Sequence, residues 1–558
     1  MLDGRRTAMT RREDSWWIAA DVEGGAGARY GFALDGGDIR PDPRSASQPD
    51  GVFGLSQVVD HRADRWADSG WSGRPLRGSV LYEVHIGTFS RQGTFDGAIE
   101  RLPHLAALGV DIVELMPVAE FSGDRGWGYD GVDLFAPHHA YGGPDGLKRL
   151  VDACHGAGLA VILDVVYNHL GPAGNFLSEF GPYFSDRHGT SWGATLNFDG
   201  EEGGEVRAFV LDNAAMWIRD YHMDGLRLDA IQAIADESPV HVLAAIAEAV
   251  HKLGADLGRS TMVIAESNLN QPRLVQGHDV GGYGLDAAWA DDWHHAVHVA
   301  VTGEHAGYYA DFGSPAQLGK ALRQAWVFDG TWSARRNRFH GQSTMGLEPH
   351  MFVIALQNHD QVGNRAAGDR LAARVAQSRL KIAAALLLTS PFTPLLFQGE
   401  EWAASTPFQY FTDHADVELG KSVSEGRRRE FAAFGWRPEN VPDPQDPATF
   451  ERSRLRWDEI DSPAHREMLE WYRSLLALRR RMTNEHVEVD VDEQARRVSL
   501  VRNAIAVRVN LGETDWVLEL GGRDRLLMGS EPSISLDDLR LCLPPSSVAI
   551  VETEPSIG

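Results

Sequence analysis

Short apolar runs alternate with amphipathic stretches along the middle of the chain. Between residues 80 and 397 the runs are rich in Val, Ile and Leu, and the stretches between them place apolar residues at helical spacing, as in Thr94–Leu108. This alternation is typical of βα units that build a parallel sheet. The eight predicted strands are Val80–Ile86, Asp111–Met116, Ala160–Val165, Gly225–Leu228, Met262–Ala265, Leu285–Trp289, Met351–Leu356 and Thr393–Phe397. Eight strands separated by helices predict an α/β fold of the (β/α)8 TIM-barrel type, and the alternative is a doubly wound open sheet.

The pattern changes on both sides of this region. Residues 1–75 are rich in Gly, Asp and Pro and carry only short strand-like pieces, which favours an N-terminal β-sandwich-like domain. In Val487–Val491 and Arg497–Val501, apolar and polar residues alternate with a period of two, which predicts a C-terminal all-β domain over residues 485–558. The barrel is expected to occupy residues 76–484 between these two domains.

A long segment, residues 403–460, interrupts the barrel pattern near its end. It contains an arginine cluster, Arg427–Arg429, and a proline-rich stretch, Pro438–Pro447, without clear periodicity. A long insertion of this kind is either functional or a mobile surface loop.

Charge and composition narrow the class of partner. The 558 residues include 53 basic and 79 acidic side chains, which gives a net charge of −26. A surface this acidic repels phosphate backbones and anionic lipid, so we expect no nucleic acid partner and no membrane partner. A neutral, hydroxyl-rich or cationic ligand fits better. The 16 Trp side chains either fill the core or stack on the apolar faces of sugars.

Cysteine usage and the termini bear on the compartment. The two cysteines, Cys154 and Cys542, lie far apart and have no metal-ligand spacing, which favours a reducing compartment. The N-terminal residues include no apolar signal region, and the longest apolar run, Ile382–Phe397, is broken by Pro, Ser and Thr. These features predict a cytoplasmic protein.

Charged and polar side chains follow the predicted strands at their carboxyl ends. In a barrel these ends meet at one rim, where the loops build the active site. The side chains are Asp164, Asn168, His169, Arg227, Asp229, Glu266, Asp291, Asp292, His294, His295, His359 and Asp360. Any single one could cap a helix, but several carboxylates on one rim favour a catalytic site.

Two carboxylates on either side of a bond suit glycoside cleavage. Arg227 lies two residues before Asp229 on the same side of a strand, so its guanidinium can keep Asp229 ionised as a nucleophile. Glu266 follows apolar residues that would raise its pKa and retain its proton. Asp360 suits binding of sugar hydroxyls or stabilisation of positive charge. The competing interpretation is a divalent-metal site whose ligands are His169, Asp229, Glu266, His359 and Asp360.

Four motifs that contain these strand-end side chains resemble motifs of the α-amylase family of glycoside hydrolases. They are DVVYNH, GLRLDA, IAES and QNHD, in that order, and the resemblance extends over about residues 78–482. It implies a retaining mechanism through a covalent glycosyl-enzyme, with Asp229 as nucleophile, Glu266 as acid/base and Asp360 as transition-state stabiliser. It also implies that the cleaved sugar is surrounded by His169, Arg227 and His359 and by an aromatic platform, Tyr129 in GWGYD.

Flanking segments such as WADDWHHAVH and QNHDQVGNRAAGDRL resemble family members that cut the α-1,4 bond beside a terminal trehalose and release trehalose. The resemblance implies maltooligosyltrehalose as substrate, functional coupling to the maltooligosyltrehalose synthase that makes it, no cofactor and no essential metal. The further residues it assigns to the substrate are Gln232, Asp292, His294, Gln361, Asn364 and Trp402, with Phe408 as a second wall. Trp127, Trp289 and Trp402 are the expected sugar-stacking rings.

Two alternatives and one departure remain. A glucan branching enzyme, or another α-glucan hydrolase or transferase of the family, shares the three carboxylates. A non-catalytic glucan-binding protein would require the loss of at least one of them, and all three are present. The family's N-terminal domain usually begins earlier than Met1 does here, so we expect either a misassigned start or an absent first strand that leaves an unpaired edge.

Overall fold

The predicted strands close into a barrel. The computed structural model describes residues 1–13, 16–20, 22–63, 65–190, 193–432, 436–483 and 485–553. Eight parallel strands pair in chain order, and the last pairs with the first through Leu395 and Leu81. They are β1 Leu81–Val84, β2 Ile112–Leu115, β3 Ala160–Val165, β4 Gly225–Leu228, β5 Met262–Ala265, β6 Ala287–Trp289, β7 Phe352–Ala355 and β8 Thr393–Phe397. The TIM-barrel prediction is confirmed, and the open sheet is wrong.

Helices cover the outside of the barrel. The longer ones are Leu102–Leu108, Gly143–Gly156, Gly203–Asp220, Val242–Leu257, Asp291–Thr302, Pro315–Gln324, Gln377–Thr389 and Pro463–Arg479. Shorter ones are Ile86–Phe89, Phe95–Ile99, Leu177–Phe180 and His359–Gly363. The connection from β5 to β6, residues 266–286, contains two 3-10 turns, Pro272–Leu274 and His278–Val280, in place of an α-helix.

The helix expected over Thr94–Leu108 is divided in two. Thr94 caps the first half, and its Oγ1 accepts a hydrogen bond from the Gly97 amide at 3.1 Å. Pro103 lies in the first turn of the second half and has no N–H, so it cannot donate a helical hydrogen bond to the preceding turn. The apolar spacing was read correctly, but the proline ends the first helix.

The barrel interior changes character along its axis. Near the amino ends of the strands it is apolar, with Leu81, Ile112 and Ile162 in one buried cluster. Two residues farther along the same strands lie Glu83, Glu114 and Asp164, which are also buried. Because alternate residues of a strand share a face, these carboxylates form a charged layer directly below the rim.

The regions on both sides of the barrel are β-rich. Among the described residues before it, there are three short antiparallel pairs: Thr10–Arg11 with Trp17–Ile18, Arg29–Tyr30 with Ser56–Gln57, and Phe32–Ala33 with Ile39–Arg40. The C-terminal region is all-β, as predicted. Its described strands form two antiparallel sheets. In spatial order, the first sheet contains Glu488–Asp492, Arg497–Arg502, Ile505–Asn510, Ser547–Glu552 and Arg525–Gly529. The second contains Trp516–Glu519, Arg540–Leu543 and Ser535–Asp537.

The insert at residues 403–460 packs onto the mouth of the barrel. It contains the helices Val417–Ala432 and Pro447–Ser453. Its side chains Phe408, Phe411 and Phe450 are buried in an aromatic cluster with Trp127 and Phe397 of the barrel. This contact with the rim favours the functional interpretation of the insert.

The structure also shows the state of the cysteines and the character of the helices. Cys154 is buried and Cys542 is partly buried, and both are free thiols. Within the described ranges, no helix combines the length and the apolar character that crossing a bilayer requires.

Candidate active site

Asp229 follows β4 and is held from two sides. Arg227 Nη1 donates to Asp229 Oδ1 at 2.7 Å, and Asn168 Nδ2 donates to Oδ2 at 2.7 Å and to the Asp229 carbonyl at 2.8 Å. The Asp229 side chain is still 13% exposed. These charge-assisted contacts orient the carboxylate and leave it accessible from the rim.

Arg227 is a permanent cation at the centre of the site. Its Nη1 also donates to both oxygens of Asp164 at 2.8 Å, and its guanidinium lies 4.4 Å from the ring centroid of Trp289. Burial opposes the charge, but Asp164, Tyr129 and Asp229 outweigh it and raise the pKa of Arg227 well above its usual value. Since this cation covers a face of Trp289 and the ring is buried, our expectation that Trp289 stacks on a sugar is wrong.

Glu266 follows β5 in a different environment. Burial raises its pKa to about 8 against the opposing charge of Arg227, and the charges of Asp229, Asp360 and Asp291 act in the same direction as burial. The Ala230 amide donates to Glu266 Oε2 at 2.5 Å. At neutral pH this carboxyl group retains its proton, which is the state that a general acid requires.

A hydrogen-bonded chain runs across the floor of the site. Glu83 Oε1 lies 2.6 Å from His359 Nδ1, and Glu83 Oε2 accepts from the His359 amide at 2.8 Å. Burial lowers the pKa of His359, but Glu83 and Asp360 more than compensate and bring it to about 9. The doubly protonated ring donates from Nε2 to the Tyr129 hydroxyl at 2.7 Å, and that hydroxyl donates to Asp164 at 2.6 Å. The Tyr129 and His359 rings are stacked with centroids 5.1 Å apart.

Asp360 lies on the short helix His359–Gly363, at the open edge of the rim. Its side chain is 43% exposed, and Asn364 Nδ2 donates to its Oδ1 at 2.9 Å. Arg427 reaches this edge from the insert and donates to the Gly363 carbonyl at 2.5 Å. The insert therefore supports the segment that carries Asp360.

The other residues suggested by the sequence separate into two groups. Gln232 is exposed in a turn directly after Asp229, Gln361 is half-buried beside the helix of Asp360, and Asn364 is exposed. His169 is partly buried next to Asn168, and burial lowers its pKa, so the ring is neutral. These four side chains lie on the rim that carries the carboxylates.

The second group is buried beneath the rim. Asp292 is buried, and its Oδ2 accepts from Asn270 Nδ2 and from the amides of Val327 and Phe328, each at 2.8 Å. His294 is buried and lies 3.1 Å from the Tyr309 hydroxyl. Both side chains hold segments of the fold together, so the structure corrects their assignment to the substrate.

Trp402 and Phe408 are also core residues. Trp402 is fully buried, and its ring packs against His104 and Trp457. Phe408 is fully buried and stacks on Trp127 at 5.1 Å. A ring without an exposed face cannot stack on a sugar, so the prediction of both as walls of the site is wrong.

Three acidic residues of the site received no role from the sequence: Asp291 was placed on the rim without one, and Glu83 and Glu114 were not named. Asp291 begins the helix Asp291–Thr302 directly after β6, and its charge acts on both Asp360 and Glu266. Burial and the neighbouring Asp360 raise the pKa of Asp291 to about 7. Glu83 and Glu114 were recognisable as single carboxylates within otherwise apolar strands.

The alternative of a metal site requires five donor groups to converge. Within the described residues, the clusters of three potential ligands lie elsewhere in the chain, and none contains Asp229, Glu266 or Asp360. The Arg227 guanidinium fills the space beside Asp229 that a cation would need. This arrangement favours acid/base and nucleophilic chemistry over metal chemistry.

Comparison with known proteins agrees with this geometry. The family model of the α-amylase catalytic domain matches residues 47–185. The malto-oligosyltrehalose trehalohydrolase of Rhizobium sp. strain M-11 is 48% identical over 557 residues, which cover 98% of this chain and 93% of that protein. The malto-oligosyltrehalose trehalohydrolase of Arthrobacter ramosus is 50% identical over 508 residues, covering 90% of this chain and 88% of that protein.

A solved structure is similar over the same length. A crystal structure from Salmonella typhimurium, named as an α-amylase, is 38% identical, superposes with a TM-score of 0.89, and covers 99% of this chain and 95% of its own. Similarity of this extent includes the barrel and the regions on both sides of it. The chain therefore belongs to the malto-oligosyltrehalose trehalohydrolase family, within the α-amylase group of glycoside hydrolases.

Proposed function

We propose that this glycoside hydrolase cleaves the α-1,4 bond next to the terminal trehalose of maltooligosyltrehalose and releases trehalose. The observation that carries the proposal is that Asp229, bonded to Arg227, lies on one rim with Glu266, whose pKa burial raises to about 8. The names of the relatives supply the substrate.

In the first step, a carboxylate oxygen of Asp229 attacks the anomeric carbon of the sugar on the non-reducing side of the bond. The bond to the leaving oxygen breaks, and Glu266 donates its proton to that oxygen, so trehalose leaves as a neutral alcohol. Arg227 and Asn168 support this step because they fix both oxygens of Asp229. The half-exposed carboxylate of Asp360 suits the positive charge that develops on the sugar ring.

In the second step, the Glu266 carboxylate accepts a proton from water while the water oxygen attacks the anomeric carbon. The ester bond to Asp229 breaks, and Glu266 regains its proton. Two displacements at one carbon retain its configuration. The stacked pair of Tyr129 and His359 gives the cleaved sugar a flat, rigid floor.

We assign recognition of trehalose to the polar side chains on the rim, Gln232, Gln361 and Asn364. Hydroxyl groups of a disaccharide need such donors and acceptors, and the carboxamides offer both. Arg427 holds the backbone beside Asn364, which supports a role of the insert in the shape of this subsite.

The test compares two substrates at equal concentration. Maltotriosyltrehalose should give trehalose and maltotriose, and maltopentaose should be cleaved slowly. Proton NMR of the first turnovers should show the α-anomer of maltotriose. Rapid cleavage of both substrates, or a branched product, would show that the substrate assignment is wrong.

The variant that tests the mechanism is Asp229→Asn, which retains the shape of the side chain and removes the nucleophile. We expect turnover to fall by about 10⁴-fold or more, because loss of a nucleophile leaves only binding and charge stabilisation. Binding of maltotriosyltrehalose, measured by calorimetry, should persist. Glu248→Gln, at an exposed position, is the control and should retain wild-type activity. Unchanged hydrolysis by Asp229→Asn would contradict the mechanism.

The proposal extends to partners and compartment. Its substrate carries trehalose at the reducing end of a maltooligosaccharide, so we propose functional coupling to a synthase that forms that terminus. The two free cysteines support a cytoplasmic location.

A further inference from the structure

Three potential metal ligands meet at the two ends of the loop that carries Trp127 and Tyr129. Glu120 ends the strand Ala119–Glu120, which pairs antiparallel with Asp133–Pro137. His138 and His139 follow the second strand, so the pairing brings them back beside Glu120. One donor atom from each of the three side chains lies within 4.8 Å of the other two.

The Glu120 carboxylate is already oriented toward both rings. Its Oε2 accepts a hydrogen bond from the His139 amide at 2.8 Å. Its Oε1 lies 2.7 Å from His139 Nδ1 and 3.2 Å from His138 Nδ1. The Glu120 side chain is fully buried, so this charge faces the two imidazoles rather than solvent.

His138 has unused polar atoms. Its side chain is fully buried; Nδ1 lies 3.2 Å from Glu120 Oε1 without the geometry of a hydrogen bond, and Nε2 has no hydrogen-bond partner. The ring is stacked on Phe121 at 3.8 Å and meets Tyr141 edge-on. A buried imidazole without a hydrogen bond is destabilising, and this one points its Nδ1 toward the Glu120 carboxylate. The Nδ1 lone pair and the carboxylate are therefore placed to bind one cation together.

His139 has the environment of a metal ligand. Its Nδ1 faces Glu120, and its Nε2 lies 3.3 Å from Asp124 Oδ1. Histidines that bind metals usually donate their second nitrogen to a carboxylate, which fixes the tautomer and the ring plane. Its side chain is 27% exposed, so a water molecule can reach this side of the cluster.

We propose that Glu120, His138 and His139 form a Zn²⁺ site, with water as the fourth ligand. Two imidazoles and one carboxylate are a common donor set for this ion. Ligands at about 2.0–2.1 Å in tetrahedral geometry lie about 3.3 Å apart. The distance between Glu120 and His138 matches this value, and the pair of Glu120 and His139 needs to open by about half an ångström.

The ion would join the two ends of the loop between residues 120 and 138. This loop carries Trp127, which packs in the aromatic cluster, and Tyr129, which bonds to Asp164 and His359. The site therefore stabilises the sugar-binding floor without contact with the three carboxylates. It is independent of the substrate assignment.

A second cluster in the chain is a useful contrast. Glu348, His350 and Glu485 also bring three donors together. Arg77 bonds to both carboxylates, at 3.3 Å to Glu348 and at 3.5 Å to Glu485, and so already supplies the positive charge. This cluster is also more exposed, and we expect no metal there.

The experiment titrates the chelator-treated full chain with Zn²⁺ by calorimetry and with Co²⁺ by visible absorption. We expect one equivalent of each ion, d–d bands of a four-coordinate Co²⁺ site, and a higher melting temperature with Zn²⁺. His139→Ala should bind at least 100-fold more weakly, because it removes one of three protein ligands. His350→Ala is the matched control and should bind like the wild type.

Glu120→Gln is a second variant, since it retains shape and removes the charge; circular dichroism checks the fold of each variant. Weaker binding by Glu120→Gln would support the site. Absence of Zn²⁺ uptake by the wild type would overturn the proposal, and the cluster would then be an ion pair of Glu120 with protonated His139. Equal affinity in His139→Ala, or loss of binding only in His350→Ala, would also overturn it.

Discussion

At the scale of single residues, the active site separates two carboxyl groups by their surroundings. Asp229 receives hydrogen bonds from Arg227 and Asn168, which stabilise its charge. Glu266 lies in a more apolar position, and burial keeps its proton in place to about pH 8. The same functional group thus supplies both a nucleophile and an acid.

This separation predicts the alkaline limb of the pH profile. Glu266 must be protonated to act as the acid, so kcat/KM should fall as the pH rises through about 8. Asp291 is ionised above about pH 7, and its charge raises the pKa of Glu266. Asp291→Asn removes that charge, so the alkaline limb should move to lower pH. The measurement is kcat/KM across the neutral and alkaline range, with the exposed Asp145→Asn as control. A limb that stays in place in Asp291→Asn would refute the role of Asp291.

The buried carboxyl group of Glu114, below the rim, is expected to make the stability of the fold depend on pH. It is fully buried, neither of its oxygens has a partner, and burial together with Glu83 raises its pKa well above the usual value. In the unfolded chain the same group loses its proton above about pH 4.3. Between these two pKa values the folded chain holds one more proton than the unfolded chain. Its free energy of unfolding therefore decreases as the pH rises, by up to about 1.4 kcal/mol per pH unit.

Glu114→Gln cannot ionise, so it should lose this pH dependence. Relative to the wild type, its free energy of unfolding should increase progressively from about pH 5 to pH 8. Urea denaturation at several pH values measures the difference. A constant difference between the two proteins would mean that Glu114 does not retain its proton in the fold.

At the scale of elements, the barrel strands were predictable because a strand buried on both sides is a continuous apolar run. The packing of the insert was not predictable, because the residues that hold it are distant from each other in sequence. Phe408, for example, packs on Trp127. Trp402 was misassigned for the same reason, since its neighbours His104 and Trp457 are not local. The four motifs were sufficient to find the rim, but the choice between Asp291 and Asp292 required the structure, because both lie in the first turn of the helix Asp291–Thr302.

The insert helix Val417–Ala432 offers a test of its function. Arg427 on this helix donates to the Gly363 carbonyl, lies 3.5 Å from Asn364 Oδ1, and packs over Tyr410 at 5.0 Å. Arg427→Ala removes these contacts beside Asp360 and should lower kcat/KM about 10-fold, equivalent to about 1.4 kcal/mol.

Arg429 is the matched control on the same helix. Its side chain is 73% exposed and lies 3.8 Å from Glu425 in a surface ion pair. Surface pairs contribute little, so Arg429→Ala should change kcat/KM less than twofold. Equal effects of the two substitutions would mean that the helix acts only through general stability.

At the scale of the whole molecule, the C-terminal β domain is joined to the barrel through buried arginines. Arg502 of that domain donates to the carbonyls of Ser390 and Met482, each at 2.7 Å. Arg479 of the barrel donates to the carbonyls of Ser390 and Phe392, each at 2.6 Å. Burial lowers the pKa of Arg502 to about 10 and that of Arg479 to about 9, and both stay charged at neutral pH.

These contacts predict that the two domains unfold together. Arg502→Met retains much of the apolar stem but removes the donor to the buried Met482 carbonyl and leaves the Ser390 carbonyl to Arg479 alone, which should lower the free energy of unfolding by about 2–4 kcal/mol. Arg525→Ala, which removes an exposed ion pair with Glu552, should lower it by less than about 1 kcal/mol. Scanning calorimetry should show one transition for the wild type and two for Arg502→Met, because the C-terminal domain loses its anchor while the barrel keeps its own core. A single transition at the wild-type temperature would show that Arg502 does not couple the domains.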